Sequence, residues 1–170
     1  MRILFVKLSS MGDVLQALAA VHDAFEAITD LEIDWVVDES FQEIPTLHPK
    51  IHNLILPHHR KWRTSPIKYR KEIWQFCKKL RSKRYDLVLD GQTNWKSALI
   101  TFFSKGHSVG LDKHSVREYI AHFAYKTRLP VCRNQHALEH LREFFSKALN
   151  YKKPDFSPSF GLKIPSLDAQ

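Results

Sequence analysis

Cysteine is scarce in this chain. Cys77 and Cys132 are the only two in 170 residues, far apart and without metal-type spacing. A disulfide framework and a cysteine-built zinc site are therefore set aside, and both thiols read as reduced. There is no HExxH pattern and no Asp-x-Asp pair of the kind that holds a nucleotide-sugar through a divalent ion. His136 and His140 stand four residues apart outside any HExxH pattern, a weak basis for a metal. No metal and no other cofactor is expected. The glycine spacings GxGxxG and GxxxxGK[ST] are also missing, so neither dinucleotide-binding nor P-loop chemistry is indicated. No apolar run approaches the ~18–20 residues needed to span a bilayer. The N-terminus does not read as a signal peptide, because Asp13 interrupts it. Internal repeats and low-complexity tracts are absent from the sequence.

Acidic residues are missing from one window in particular. Between His58 and Arg84 eleven lysines and arginines face a single acid, Glu72. The whole chain carries a formal net charge of +8, so everything outside that window is slightly acidic. Such a balance predicts an anionic partner without choosing among nucleic acid, membrane surface and phosphorylated substrate. The length suits one domain with enough core to fold alone. An apolar content of 44% is ordinary for a globular protein.

The first 24 residues organise the rest. Ile3-Leu4-Phe5-Val6 reads as a strand buried on both faces. Leu8 to Gly12 breaks the pattern. From Asp13 onward, Val14, Leu15, Leu18 and Val21 recur at helical spacing. A strand, a short turn and a helix start aim free backbone N–H groups at a ligand, where open parallel sheets place their sites. Asp13 has two readings here. It is a helix cap worth about 0.5–2 kcal/mol, or a carboxylate held at the mouth of the sheet as a general base. Gly12, without a side chain, would let a substrate come close.

Further strands are expected over 31–37, 51–56, 85–90 and 106–111. Helices are expected over about 67–84, 95–103, 115–127 and 135–149, with a short one around Phe41 to Leu47 curtailed by Pro45. The alternation predicts an α/β fold, a doubly wound parallel sheet with helices on both faces. His58 to Pro66 reads as a loop at the same sheet edge as Asp13. Its Arg60, Lys61 and Arg63 form either a solvated basic loop or a clamp for anionic oxygens. The helix after it is strongly basic, which suits a solvated face or an anionic membrane leaflet. From Tyr151, Pro154, Pro158 and Pro165 mark a linker or peripheral tail.

Lys7-Leu8-Ser9-Ser10-Met11-Gly12-Asp13 and the amphipathic stretch after it resemble the N-terminus of the lipopolysaccharide heptosyltransferases of glycosyltransferase family 9, in particular those that add the first heptose to the Kdo region of the inner core. Asp90-Gly91-Gln92-Thr93-Asn94-Trp95-Lys96-Ser97-Ala98 resembles the family's Asp-x-Gln-Gly-x-x-Lys-Ser-Ala segment, with Thr93 in place of the usual glycine. Gly110-Leu111-Asp112, Ser115-Val116-Arg117-Glu118 and Gln135-His136-Ala137-Leu138-Glu139 match further family segments, and a basic loop bearing a tryptophan matches Arg60 to Arg63. Thr64 departs from the family, whose nearest members carry another base there.

The resemblance covers essentially the whole chain but only the first half of the family's enzymes, which face two Rossmann-like domains in the GT-B arrangement. It implies an N-terminal acceptor-binding Rossmann-like domain over 1–150, a linker or tail over 151–170, and a donor domain absent from this sequence. It implies inverting transfer of heptose from ADP-heptose, held mainly by that absent domain, to a Kdo residue of Kdo-lipid A. Asp13 is then the catalytic base, with Lys7, Ser9, Ser10 and Gly12 shaping its pocket. Arg60, Lys61, Arg63 and Arg117 orient the anionic acceptor, and His136 faces it. Lys96 serves either a substrate phosphate or the fold, and Arg117 either contacts an anion or pairs with Glu118 or Asp112. The setting implied is cytoplasmic and peripheral, at the inner face of the bacterial inner membrane. The fragment alone is expected to bind acceptor weakly and turn over little. A non-catalytic anion-binding module, for lipid or nucleic acid, is the alternative. Nucleic acid is disfavoured because Trp62, Tyr69 and Trp74 sit on a loop and helix rather than a stacking sheet.

Overall fold

The computed structural model describes residues 1–51 and 53–162. His52, expected within the third strand, and Pro165 in the tail lie outside them. Among the described residues six strands form one sheet: β1 (Arg2–Val6), β2 (Glu32–Val36), β3 (Asn53–Ile55), β4 (Leu87–Asp90), β5 (His107–Leu111) and β6 (Thr127–Leu129). Their order is β3-β2-β1-β4-β5-β6 and every pairing is parallel. That is the Rossmann order, whose direction of winding reverses between β1 and β4, so a crevice opens beyond their carboxyl ends. β1 is central because its four apolar residues serve both faces. Ile3 and Phe5 point to one side, Leu4 and Val6 to the other, and all are fully buried.

The helices are α1 (Met11–Ala27), α2 (Glu43–Thr46), α3 (His59–Thr64), α4 (Arg70–Ser82), α5 (Trp95–Phe103) and α6 (Ala137–Leu149). α1 and α6 pack together over the Phe5 face, where Phe5 meets Trp35 and Phe145 edge-on at centroid distances of 4.7 and 4.8 Å. Leu80 of α4 and Ile100 of α5 cover the Leu4 face. The doubly wound parallel sheet expected from the alternation is thus the observed fold.

Three local expectations are corrected. The segment expected as a helix over 115–127 is a 3-10 turn, Tyr119–Ala124, followed by the unforeseen edge strand β6. The apolar spacing there is helical. However, the Tyr125 side chain lies over Gly110 and its hydroxyl donates to Asp90 Oδ2 at 2.8 Å, so a long-range anchor overrides the local pattern. His58 to Pro66, read as a loop, contains α3, and α4 begins only at Arg70. The third strand is shorter than expected, with a bound at Asn53.

Beyond α6, residues from Tyr151 on lie against the domain. Tyr151 and Phe160 pack on the core, and the Arg142 guanidinium donates to the carbonyl oxygens of Pro154 and Phe156.

Candidate active site at the carboxyl edge of the sheet

Two loops meet at the switch point, one after β1 and one after β4. The buried Asp90 at the end of β4 organises the second. Its Oδ1 accepts from the backbone N–H of Gln92 (2.9 Å) and Thr93 (2.8 Å), and its Oδ2 from the Tyr125 hydroxyl. Burial pushes the Asp90 carboxyl upward in pKa, and these donors pull against that shift. Thr93 takes a left-handed φ of 53°, the conformation a glycine would suit. Its Oγ1 accepts from the Arg117 N–H at 3.1 Å and its carbonyl from the Glu118 N–H at 3.1 Å.

Gln92 carries the link between the loops. Its Oε1 accepts from the N–H groups of both Leu8 and Ser9, at 3.2 and 3.3 Å. Both donors would otherwise be short of partners at a buried turn. Gln92→Ala is expected to cost about 1–3 kcal/mol, the usual penalty for stranded buried donors. Urea unfolding at neutral pH measures it, and a loss well under 1 kcal/mol would mean water replaces the amide.

The loop so held delivers α1. Asp13 is in its first turn, and Asp13 Oδ2 accepts from the Ser10 N–H (3.1 Å) and the Ser10 hydroxyl (3.2 Å). Capping therefore occupies one oxygen. Asp13 Oδ1 accepts no hydrogen bond from the described residues, and the side chain is one-third exposed (33%) at the sheet rim. The two readings of Asp13 are compatible in this geometry, because the cap orients the free oxygen. Lys7 Nζ stands 4.0 Å from Oδ2. Burial lowers the Lys7 pKa, Asp13 and Asp90 oppose that, and the charge of Arg117 adds to it. Lys7 in turn helps to lower the half-buried His140, where burial is the main cause. Lys7, Asp13, Asp90, Arg117 and His140 thus form one electrostatic neighbourhood. A Cβ added at Gly12 would meet nothing within 4 Å, so the space beside Asp13 is open.

A cavity of about 710 Å³ begins beside Ser9 and runs between α3, α4 and α5. Its wall is mostly apolar, with Leu8, Phe76, Leu80 and Ile100 among its lining and Trp62 and Trp95 at its sides. Arg60, Arg63 and Lys96 supply its positive charges. Asp38 holds α3 in place: its Oδ2 lies 3.4 Å from His59 Nε2 and 3.5 Å from Arg60 Nε.

The structure thus groups Asp13, Lys7, Ser9, Ser10 and Gly12 at one rim, with Arg60, Arg63 and Lys96 on the adjoining cavity. Lys61 is not part of that wall; its Nζ lies 4.0 Å from Glu39 Oε2. Arg117 is exposed and makes no ion pair among the described residues, and Glu118 instead accepts from the Trp95 N–H at 2.9 Å. His136 is the N-cap of α6, accepting from the Leu138 N–H at 3.3 Å. Among the described residues no group of three or more His, Cys, Asp or Glu could hold a metal. Gln92 and Asp38 were not singled out from the sequence. Gln92 had a signal in its place directly after the strand-ending Asp90-Gly91; Asp38 had none.

The family model described as glycosyltransferase family 9 (heptosyltransferase) matches residues 73–170. Lipopolysaccharide heptosyltransferase 1 of Pseudomonas aeruginosa is 40% identical over 95% of this chain, which covers 46% of that protein. The protein of the same name from Escherichia coli K12 is 39% identical over 95% of the chain, covering 52% of it. The solved E. coli heptosyltransferase WaaC with ADP-2-deoxy-2-fluoro heptose superposes with a TM-score of 0.91 at 39% identity, over 94% of this chain and 52% of that one. The chain spans about half the length of the curated relatives it matches.

Proposed function

This chain belongs to glycosyltransferase family 9, and from that premise we propose that it provides the acceptor side and the general base of a lipopolysaccharide heptosyltransferase. The reaction is transfer of heptose from ADP-heptose to a Kdo residue of Kdo-lipid A, in one displacement with inversion, in the cytoplasm at the inner face of the inner membrane. The observation that carries the reading is the Asp13 carboxylate at an open rim, with one oxygen capped by Ser10, the other accepting no hydrogen bond from the described residues, and Ser9 of the same loop lining a cavity charged by Arg60, Arg63 and Lys96.

In the proposed step Asp13 Oδ1 accepts the proton of the attacking Kdo hydroxyl. The acceptor oxygen bonds to the anomeric carbon as the bond from that carbon to the ADP oxygen breaks, and ADP leaves with the electron pair. Lys7 faces the other carboxylate oxygen. Arg60 and Arg63 hold acceptor carboxylates or phosphates, contributing position rather than bond chemistry. The ADP-heptose itself is assigned mainly to the part of the relatives that this chain does not span.

Titration of this chain with a soluble, acyl-free Kdo-bearing acceptor tests the reading. Arg60→Ala with Arg63→Ala is expected to weaken binding by about tenfold or more, the scale of losing a charge-assisted contact. An oligonucleotide of equal charge is expected to bind more weakly than the acceptor. Equal binding of the two, or no effect of the arginine pair, would favour a general anion-binding module.

A further inference from the structure

We propose that the face formed by α5 and the Tyr119–Ala124 turn is a membrane-docking surface that inserts aromatic side chains into an anionic lipid bilayer. Phe102, Ile120 and Phe123 are 67, 63 and 65% exposed, and Trp95, Leu99 and Phe103 are exposed beside them. The two elements pack against each other, so these side chains share one surface. Soluble domains rarely leave so much contiguous apolar area open without a partner. Among the described residues no helix is long and apolar enough to cross a membrane, so the contact is one of lying on the bilayer.

Charge selects the partner. Arg81 of α4 donates to the Phe103 carbonyl oxygen at 3.4 Å, which brings the basic end of α4 to the end of α5. Lys78 lies over the exposed Trp74 ring at 5.3 Å, and Lys96 over Trp95 at 5.8 Å. Apolar side chains edged by lysine and arginine match an interface of acyl chains beneath anionic headgroups. A second copy of the chain would bring the same positive charges together. Moreover, Trp95, Leu99 and Phe103 also line the cavity beside Ser9, so that cavity opens onto this face. A lipid-borne acceptor would reach Asp13 from the side that lies on the membrane. This deepens the reading of the site above and rests on it for the choice of a lipid as the occupant.

The test is partition of the chain onto vesicles of phosphatidylglycerol with phosphatidylethanolamine, against phosphatidylcholine alone, at low and high salt. Wild type is expected to bind the anionic vesicles, more weakly but still measurably at high salt. Phe102→Ser with Phe123→Ser is expected to lower the partition coefficient about tenfold at both salts. Lys78→Glu with Arg81→Glu should act mainly at low salt. All four positions are exposed, and circular dichroism checks that the fold is kept. Failure of wild type to bind anionic vesicles would overturn the proposal. So would unchanged binding by the aromatic variant, or self-association in solution that this variant abolishes. The vesicles contain no sugar-bearing acceptor. Failure here therefore leaves the transfer reading untouched, and Asp13→Asn is expected to bind them like wild type.

Discussion

Asp13→Asn is expected, on the base role proposed above, to reduce heptose transfer by about 10²–10⁴-fold, the range a general base contributes, in a protein that also spans the part of the relatives this chain does not. The substitution separates the cap seen in the structure from the proposed base role. An amide oxygen can still accept from the Ser10 N–H and hydroxyl, so the start of α1 keeps its cap. What is lost is the basicity of the oxygen that accepts no hydrogen bond from the described residues. The thermal midpoint is therefore expected to stay near wild type while kcat collapses. Asp13→Ala should show the same loss of turnover and, in addition, about 0.5–2 kcal/mol of lost stability, because the cap goes too. Acceptor affinity should change little in either variant, since Arg60 and Arg63, the residues proposed to hold the anion, are untouched. Transfer by Asp13→Asn within a few-fold of wild type would exclude the base role and leave Asp13 as a cap alone.

Asp23→Ala is expected to destabilise the domain by about 3–5 kcal/mol, the cost of stranding one member of a buried ion pair. Arg142 Nε donates to Asp23 Oδ2 at 2.6 Å, and the two side chains are only 2% and 1% exposed. Burial works against the guanidinium charge, and the carboxylates of Asp23 and Glu139 more than offset it. Without Asp23 the charge stays, because a guanidinium does not deprotonate in the accessible range. The same group holds the carbonyls of Pro154 and Phe156, so the segment after α6 should loosen with it. At about 2–4 °C per kcal/mol for a domain of this size, the midpoint should drop by roughly 6–20 °C. Adding Arg142→Leu to Asp23→Ala should recover much of the loss, since an apolar pair removes the stranded charge. A cost below about 1 kcal/mol for Asp23→Ala would mean that Glu139 alone neutralises Arg142, contrary to the geometry.

Both variants bear on how much of the site can be read before folding. The Asp13 cap depends on a residue three positions away, and the candidate base was legible for that reason. The Asp23–Arg142 pair joins residues 119 apart. Asp23 lies on a helix that reads as simply amphipathic, and no local pattern marks it as buried and charged. Gln92 bridges 84 residues to reach Leu8. Its segment, Asp90 to Ala98, resembles a family segment, yet only the meeting of two loops makes the amide carry the link. Among the basic residues after β3, composition treats Arg60, Lys61 and Arg63 alike. The turn of α3 puts two of them on the cavity wall and leaves Lys61 beside Glu39.

The chain's own patterns were enough for the parallel sheet, for β1 and α1, for the limits of α5 and for the concentration of positive charge beyond β3. Each follows from a period, a cap or a composition that acts over a few residues. The sixth strand, the suspension of the Ser9 loop from Gln92, the choice among the arginines and the exposed aromatic face came only from the tertiary structure. They depend on which distant segments share a boundary. That is settled by packing Tyr125 over Gly110 and α5 against the Tyr119–Ala124 turn, for which one-dimensional spacing carries no signal.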